Sequence, residues 1–189
     1  MALLRARTYV LARDLRPSRV ASGAARPARP RRFMRAIAVP VAQHRIEAEI
    51  AALPPERWLA SQGEHAVGLA HAHEIPMLLD EIGRLREITF RAAGEGTGRV
   101  RDLDAFDRSY RHLFVWHRGD RAIAGAYRLG LTDEILAAQG PDGLYTHTLF
   151  RYDRRLLDRL SPAIELGRSF VRAADSQIAL IRSPWSLTA

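Results

Sequence analysis

Three stretches of this chain set ionisable side chains beside or inside runs that are otherwise apolar. They are Leu85-Arg86-Glu87-Ile88-Thr89-Phe90, Asp102-Leu103-Asp104-Ala105-Phe106-Asp107 and Glu165-Leu166-Gly167-Arg168-Ser169-Phe170-Val171. Between the last two lie His112-Leu113 and Gly125-Ala126-Tyr127-Arg128-Leu129. A charge embedded in a packed element is costly unless it is paired or used. Several such charges in one chain restrict the fold to one that gathers them into a polar pocket on an apolar scaffold.

The scaffold is affordable. A chain of 189 residues with 47% apolar content fits one domain of ordinary size with a real core. The absence of cysteine excludes disulfides and thiolate metal sites and fits a reducing, cytoplasmic setting. All 29 basic residues are arginine. Ten of them lie in residues 1–35 against the single acid Asp14, so the rest of the chain is nearly neutral. Composition reads residues 1–40 as a disordered basic arm. Such an arm can also contact phosphates or anionic head groups, which allows peripheral contact with the inner face of a membrane. No apolar run approaches the ~18 residues of a bilayer span.

Ile46, Ile50 and Leu53 fall at helical spacing before Pro54-Pro55, which predicts a connecting helix within 41–62, docked through Trp58 and Leu59. Residues 65–71 read as a short strand. Pro76 opens a helix whose apolar stripe is Ile75, Leu78, Leu79, Ile82, Leu85 and Ile88, and the glycine-rich run 94–98 ends it. Residues 113–116 and 122–127 form two strands, with Gly119-Asp120 as a two-residue turn. Thr132 is placed to cap a short helix ending before Gly140. A further helix at 154–160 and a strand at 163–171 follow. The order implies an α/β (α+β) domain with a mixed sheet flanked by helices. The core is expected over 63–172, with 173–189 an atypical tail.

Asp102, Asp104 and Asp107 have a D-x-D-x-x-D spacing. Such carboxylates can hold a metal, bind and deprotonate an ammonium group, or simply cap a turn. The EF-hand reading fails because Asp107, not glycine, holds the sixth position. The histidines show no metal-ligand spacing, and the 94–98 run lacks the Lys-Ser/Thr of a phosphate loop. No metal is therefore expected. Arg86 can pair with the Asp turn or face solvent. In a regular strand Glu165 and Arg168 point to opposite faces unless a bulge intervenes, and Gly167 suits a bulge. Nothing resembles a nucleic-acid-binding motif, so nucleic acid is not an expected partner.

Read in order, the segments resemble the hemolysin-like branch of the GNAT acyltransferases. That branch includes ornithine N-acyltransferases of ornithine-lipid synthesis, with acyl-homoserine-lactone synthases as cousins. The resemblance rests on Leu85–Phe90, Asp102–Asp107, His112-Leu113, Gly125–Leu129 and Glu165–Arg168, and covers roughly residues 64–172. It implies a partial GNAT-like fold and transfer of a fatty acyl group to the amine of an amino-acid acceptor. The donor would be an acyl-carrier-protein phosphopantetheine or an acyl-CoA, used as co-substrate with no bound cofactor. It assigns Asp102, Asp104 and Asp107 to acceptor binding, with Arg86 and Arg128 orienting the Asp turn and an acceptor carboxylate. Glu165 becomes the base, directly or through water, and Arg168 a structural partner or carrier contact.

After Val171 the family continues with a pantetheine-binding loop, an apolar helix and further strands, which residues 172–189 do not resemble. The expectation is a shortened domain with an acceptor pocket, an incomplete donor cleft and an open edge at 163–171. The alternative reading is a non-catalytic module, or an inactive fragment that needs a partner chain to complete its sheet.

Overall fold

A computed structural model of the chain describes residues 34–172, all within the second of two compact units, residues 33–189. Most of the basic arm and the tail 173–189 lie outside the described residues. Five strands form one sheet in sequence order: β1 (Trp58–Gln62), β2 (His65–His71), β3 (Arg111–His117), β4 (Ala122–Leu131) and β5 (Ile164–Val171). Every described pairing is antiparallel. The helices are α1 (Gln43–Ala52), α2 (Pro76–Ala92), α3 (Thr132–Gln139) and α4 (Arg154–Leu160). This is the expected α/β class, built as a meander with helical insertions. None of the described helices is long and apolar enough to cross a membrane.

The apolar stripe of α2 is buried from Ile75 to Ile82 and half-buried at Leu85, but Ile88, expected to continue it, is exposed. Ile75, Leu78 and Ile82 are fully buried against a cluster containing Phe114, Trp116, Ile123, Ala126 and Phe170 from the sheet. Pro76 stands at the first helical turn, where its missing N–H costs nothing. The next two N–H groups, of Met77 and Leu78, each donate at 2.8 Å to the Glu49 carboxylate of α1. An anion thus satisfies the orphan donors of α2 and ties α1 onto it. A second cluster packs Tyr110 with Ile135, Leu144 and Leu157.

Three local expectations are corrected. Trp58 and Leu59 lie in the edge strand β1; Trp58 packs against the cluster that holds Ile46 and Leu53, but Leu59 is exposed and docks nothing. Gly63, at φ 53, turns that strand back onto β2, and the Trp58 ring meets Phe114 edge-on at 5.8 Å. The β3–β4 connection uses four residues, 118–121, because His117 pairs with Ala122. The His117 Nδ1 accepts the Asp120 N–H at 2.9 Å, and this side-chain bond replaces a tight two-residue turn. Thr132 does not cap α3. Its hydroxyl accepts from the Ala163 N–H at 2.8 Å and faces the Ala163 carbonyl at 3.1 Å, joining the start of α3 to the start of β5.

One close approach positions the Asp turn. The Asp102 N–H donates to the Gly83 carbonyl at 2.9 Å, and Leu103 lies over Gly83 so closely that a Cβ there would sit 2.5 Å from Leu103 Cγ. Alanine is the better helix former by about 1 kcal/mol. Gly83→Ala is nonetheless expected to lose about 1–3 kcal/mol, because the overlap must displace Leu103 and the turn. Urea unfolding of the variant beside the parent measures the difference, and a stabilised variant would refute this packing account.

Candidate functional site

The last turns of α2 carry Arg86 into the interior, where its side chain is fully buried. Its Nη1 donates to Asp107 Oδ1 at 2.7 Å. The Asp turn is ordered before it meets any arginine. Asp104 caps the 3-10 turn Ala105–Arg108, accepting the Phe106 N–H at 2.9 Å. Asp107 returns the favour by accepting the Asp104 N–H at 2.8 Å. This reciprocal capping box is the local reason for the D-x-x-D spacing. All three carboxylates then face guanidinium groups, so the spacing serves ion pairing, and among the described residues no acidic or histidine cluster fit for a metal occurs.

Arg128 on β4 stands opposite His112 on β3 and Gly167 on β5. Its side chain is 1% exposed, and its Nη1 lies 2.6 Å from Asp104 Oδ1. The guanidinium also sits over the rings of Tyr145, Tyr110 and Phe106, at 4.9, 5.2 and 5.7 Å from their centroids. Aromatic faces stabilise a desolvated cation without competing for its N–H groups. Arg86 and Arg128 both lie under the surface. Their placement suits them to orienting the Asp turn, and neither meets an incoming carboxylate without repacking.

Arg168 differs in kind. Ala126 pairs with Phe170 while Arg128 pairs with Gly167, so β5 carries one extra residue there, a bulge beside the expected glycine. The left-handed backbone falls on Arg168 itself, at φ 51. A non-glycine residue held there costs roughly 1–3 kcal/mol. The bulge brings Arg168 and Glu165 to one place. The Arg168 guanidinium lies 5.5 Å from the Tyr145 ring centroid. Glu165 accepts the Tyr145 N–H at 3.2 Å and the Thr146 N–H at 2.6 Å, and takes a short hydrogen bond from the Tyr110 hydroxyl. Gly130, paired with Glu165, leaves room for that tyrosine: a Cβ there would lie 2.5 Å from Tyr110 Cε1.

Burial sets the electrostatics. It pushes Asp102 above the usual carboxylate range, against the pull of Arg168 and Arg86. Burial also acts on Asp107, but the Arg86 pair outweighs it and the carboxyl ends below its ordinary value. Tyr110 is held well above its usual value by burial and by the bond to Glu165. His112 is fully buried, and burial pushes it down to about 4 with help from Arg86 and Arg128. Its Nε2 lies 2.8 Å from the Asp107 carbonyl oxygen, so Nε2 carries the proton and the buried Nδ1 has no partner.

The glycine run has a separate, structural task. The Thr97 and Gly98 N–H groups and the Thr97 hydroxyl converge on the Glu87 carboxylate at 3.1, 2.8 and 2.6 Å. The anion this loop holds is a side chain of its own helix. Sequence reasoning missed Tyr110 and Tyr145, single aromatics with no spacing signal. The clue available was Arg128 itself, since a cation in a buried strand needs aromatic or acidic cover.

Residues 85–185 match the acetyltransferase (GNAT) domain. The glycine N(α)-acyltransferase of Phocaeicola vulgatus is 35% identical over 143 residues, covering 73% of this chain and 44% of that protein. The protein of the same name from Bacteroides thetaiotaomicron is 37% identical over 145 residues, covering 73% of this chain and 42% of its own length. The chain thus spans less than half the length of the curated relatives it matches. No solved structure gives a significant match.

Asp107→Ala leaves Arg86 buried without its partner and is expected to cost about 3–5 kcal/mol in urea unfolding. An Arg86 that loses its acid at no cost would show that the pair carries little. His112 sets a pH signature of its own. As pH falls from 6.5, the unfolded chain takes a proton that the folded one refuses until about 4. Stability should therefore fall across that window by on the order of 3 kcal/mol. His112→Gln, which keeps a donor for the Asp107 carbonyl, should flatten this limb in unfolding curves measured from pH 7 to 4.

Proposed function

This chain belongs to the acetyltransferase (GNAT) domain family, and on that premise we propose that it is an N-acyltransferase moving an acyl group from a thioester to the amine of a small amino acid. A neutral amine attacks the thioester carbonyl, a tetrahedral oxyanion forms, and the C–S bond breaks to leave an amide and a free thiol. The amine's proton must leave during this sequence, and Glu165 is the group we assign to receive it. An ionised carboxylate has about four acceptor positions. Three are occupied by the Tyr110 hydroxyl and the Tyr145 and Thr146 N–H groups, which leaves one on Oε1. That position suits a proton relayed by water.

The observation that supports this reading is the β5 bulge: on either side of it Glu165 accepts the Tyr145 N–H and Arg168 lies over the Tyr145 ring, which meets Phe106 of the Asp turn edge-on. Acyl-CoA is the donor expected of a GNAT domain, and acyl-carrier-protein phosphopantetheine is the alternative with the same reacting thioester. The names of the two relatives favour glycine as acceptor over the ornithine that the sequence resemblance implies. A fatty acyl amino acid is an amphiphile, and peripheral membrane contact would follow from releasing one. Beside Glu165 a pocket of about 300 Å³ is lined by Leu136, Leu144, Leu157 and Leu166, an apolar wall suited to an acyl tail.

A second reading, a binding module completed by another chain, is favoured by β5, where Ile164 and Leu166 stay 58% and 60% exposed. Purified protein supplied with acyl-CoA or acyl-carrier donors and with glycine or ornithine should form an N-acyl product, read by mass spectrometry. Glu165→Gln should lower kcat by roughly 10²–10⁴ if it receives the proton. Absence of product with every donor and acceptor pair would move the balance to the binding module.

A further inference from the structure

Among the arginines and aspartates of the cluster, Arg86, Arg128, Asp102 and Asp107 have side chains no more than 4% exposed, whereas Arg168 is 24% and Asp104 21% exposed. These two form its only rim to solvent among the described residues, beside the half-buried Tyr145. Each inner arginine has one tight acid partner, although Arg128 also stands 3.5 Å from Asp107 Oδ2. Arg86–Asp107 and Arg128–Asp104 close at 2.7 and 2.6 Å, but Arg168 stands 3.4 Å from both Asp102 Oδ2 and Asp104 Oδ2. A charge-assisted N–H···O bond closes to about 2.7–2.9 Å. Asp102 is 2% exposed, and its Oδ2 has no hydrogen-bond partner. Asp104 Oδ2 has only the long Arg168 contact, its other oxygen being taken by Arg128 and the Phe106 N–H. Arg168 is also held in a left-handed backbone conformation that its loose ion pairs do nothing to explain.

We propose that the rim is a cradle for the zwitterion of a small α-amino acid, with the carboxylate on Arg168 and the ammonium on Asp104 Oδ2 and, once Arg168 turns outward onto the carboxylate, on Asp102 Oδ2, which it covers in this structure. The guanidinium offers a fork of donors to a carboxylate, and the two aspartate oxygens offer acceptors to an ammonium. Both loose contacts of Arg168 are replaced by tighter ones with the ligand, so entry leaves no charge uncovered. The Tyr145 ring, 5.5 Å from the Arg168 guanidinium, walls the cradle, and the Tyr145 N–H is shared between the Tyr110 hydroxyl and Glu165. This assigns Arg168, not the sealed Arg128, to the acceptor carboxylate. It rests on the acyl-transfer reading for its biological use, but the binding stands or falls by itself.

The test is an NMR titration of the full chain with ¹³C-glycine, beside glycinamide, which lacks the carboxylate, and acetate, which lacks the amine. Glycine should bind at least tenfold more tightly than either. Arg168→Gln should abolish the preference for glycine over glycinamide, and Arg168→Lys should fall between. Equal binding of glycine and glycinamide by the wild-type protein overturns the proposal, as does absence of glycine binding. So does a folded Arg168→Gln protein that binds glycine normally. If Arg168→Gln does not fold, Arg168→Lys and the wild-type glycine-to-glycinamide ratio decide. Acyl transfer followed in the same samples reports separately: glycine held at Arg168 with no product formed overturns the reaction and leaves the cradle standing.

Discussion

The Arg86–Asp107 pair is the contact on which the rest of the site depends. It joins α2 to the Asp turn inside the protein, where neither partner can be rescued by water. Withdrawing two charges from solvent costs several kcal/mol per ion, and a single Coulombic contact seldom does more than offset it. What the pair supplies is position. Asp107 also holds the Asp104 N–H and, through its backbone carbonyl, the His112 ring of β3. One carboxylate residue therefore sets the turn, the strand beside it and the depth of the helix. Because Arg86 Nε and Nη2 find no acceptor, the arrangement is not tuned for maximal stability. A donor set left incomplete inside a protein is the cost of bringing charges to a defined place.

Much of this was legible in the sequence because short-range rules dictate it. The α2 stripe from Ile75 to Leu85, the proline at its start and the glycines at its end follow the helical period and the capping rules. A capped turn is one of the three readings the Asp spacing allows, and a bulge near Gly167 is the condition under which Glu165 and Arg168 meet. The misses are non-local. Trp58–Gln62 has no alternating pattern, since four of its five residues are exposed, and only the partner β2 makes it a strand. Thr132 looks like a cap until Ala163, distant in sequence, takes its hydroxyl. The left-handed residue is Arg168 and not Gly167, because the bulge is fixed by the register against Ala126 and Arg128. Tyr110 and Tyr145 were invisible for the same reason: what they enclose is assembled from β4 and β5.

The aromatic enclosure explains how one site can hold both sealed and open charges. Arg128 is stacked by three rings and faces two acids, Asp104 at 2.6 Å and Asp107 at 3.5 Å, so it holds Asp104 Oδ1 without needing solvent. That contact fixes Asp104 by one oxygen and leaves the other facing Arg168. The Tyr145 ring is within 5.5 Å of both guanidinium groups, and its N–H meets the Tyr110 hydroxyl at 2.8 Å and Glu165 at 3.2 Å. A displacement of Glu165 would thus loosen the wall between the buried and exposed guanidinium groups, and not merely remove a proton acceptor.

Electroneutrality then limits what such a site can admit. Three aspartates face three arginines, so these six side chains balance among themselves, and the further charge beside them is the Glu165 carboxylate. An isolated carboxylate on Arg168 would leave Asp102 without its nearest guanidinium and Asp104 with Arg128 alone, and an isolated amine would strand Arg168. Like charges brought together near a low-dielectric interior repel by several kcal/mol. A ligand that carries both signs a bond or two apart exchanges one ion pair for two and leaves the total unchanged. The balance that allows these charges to be buried at all is therefore also the property that selects a zwitterion over its separate halves.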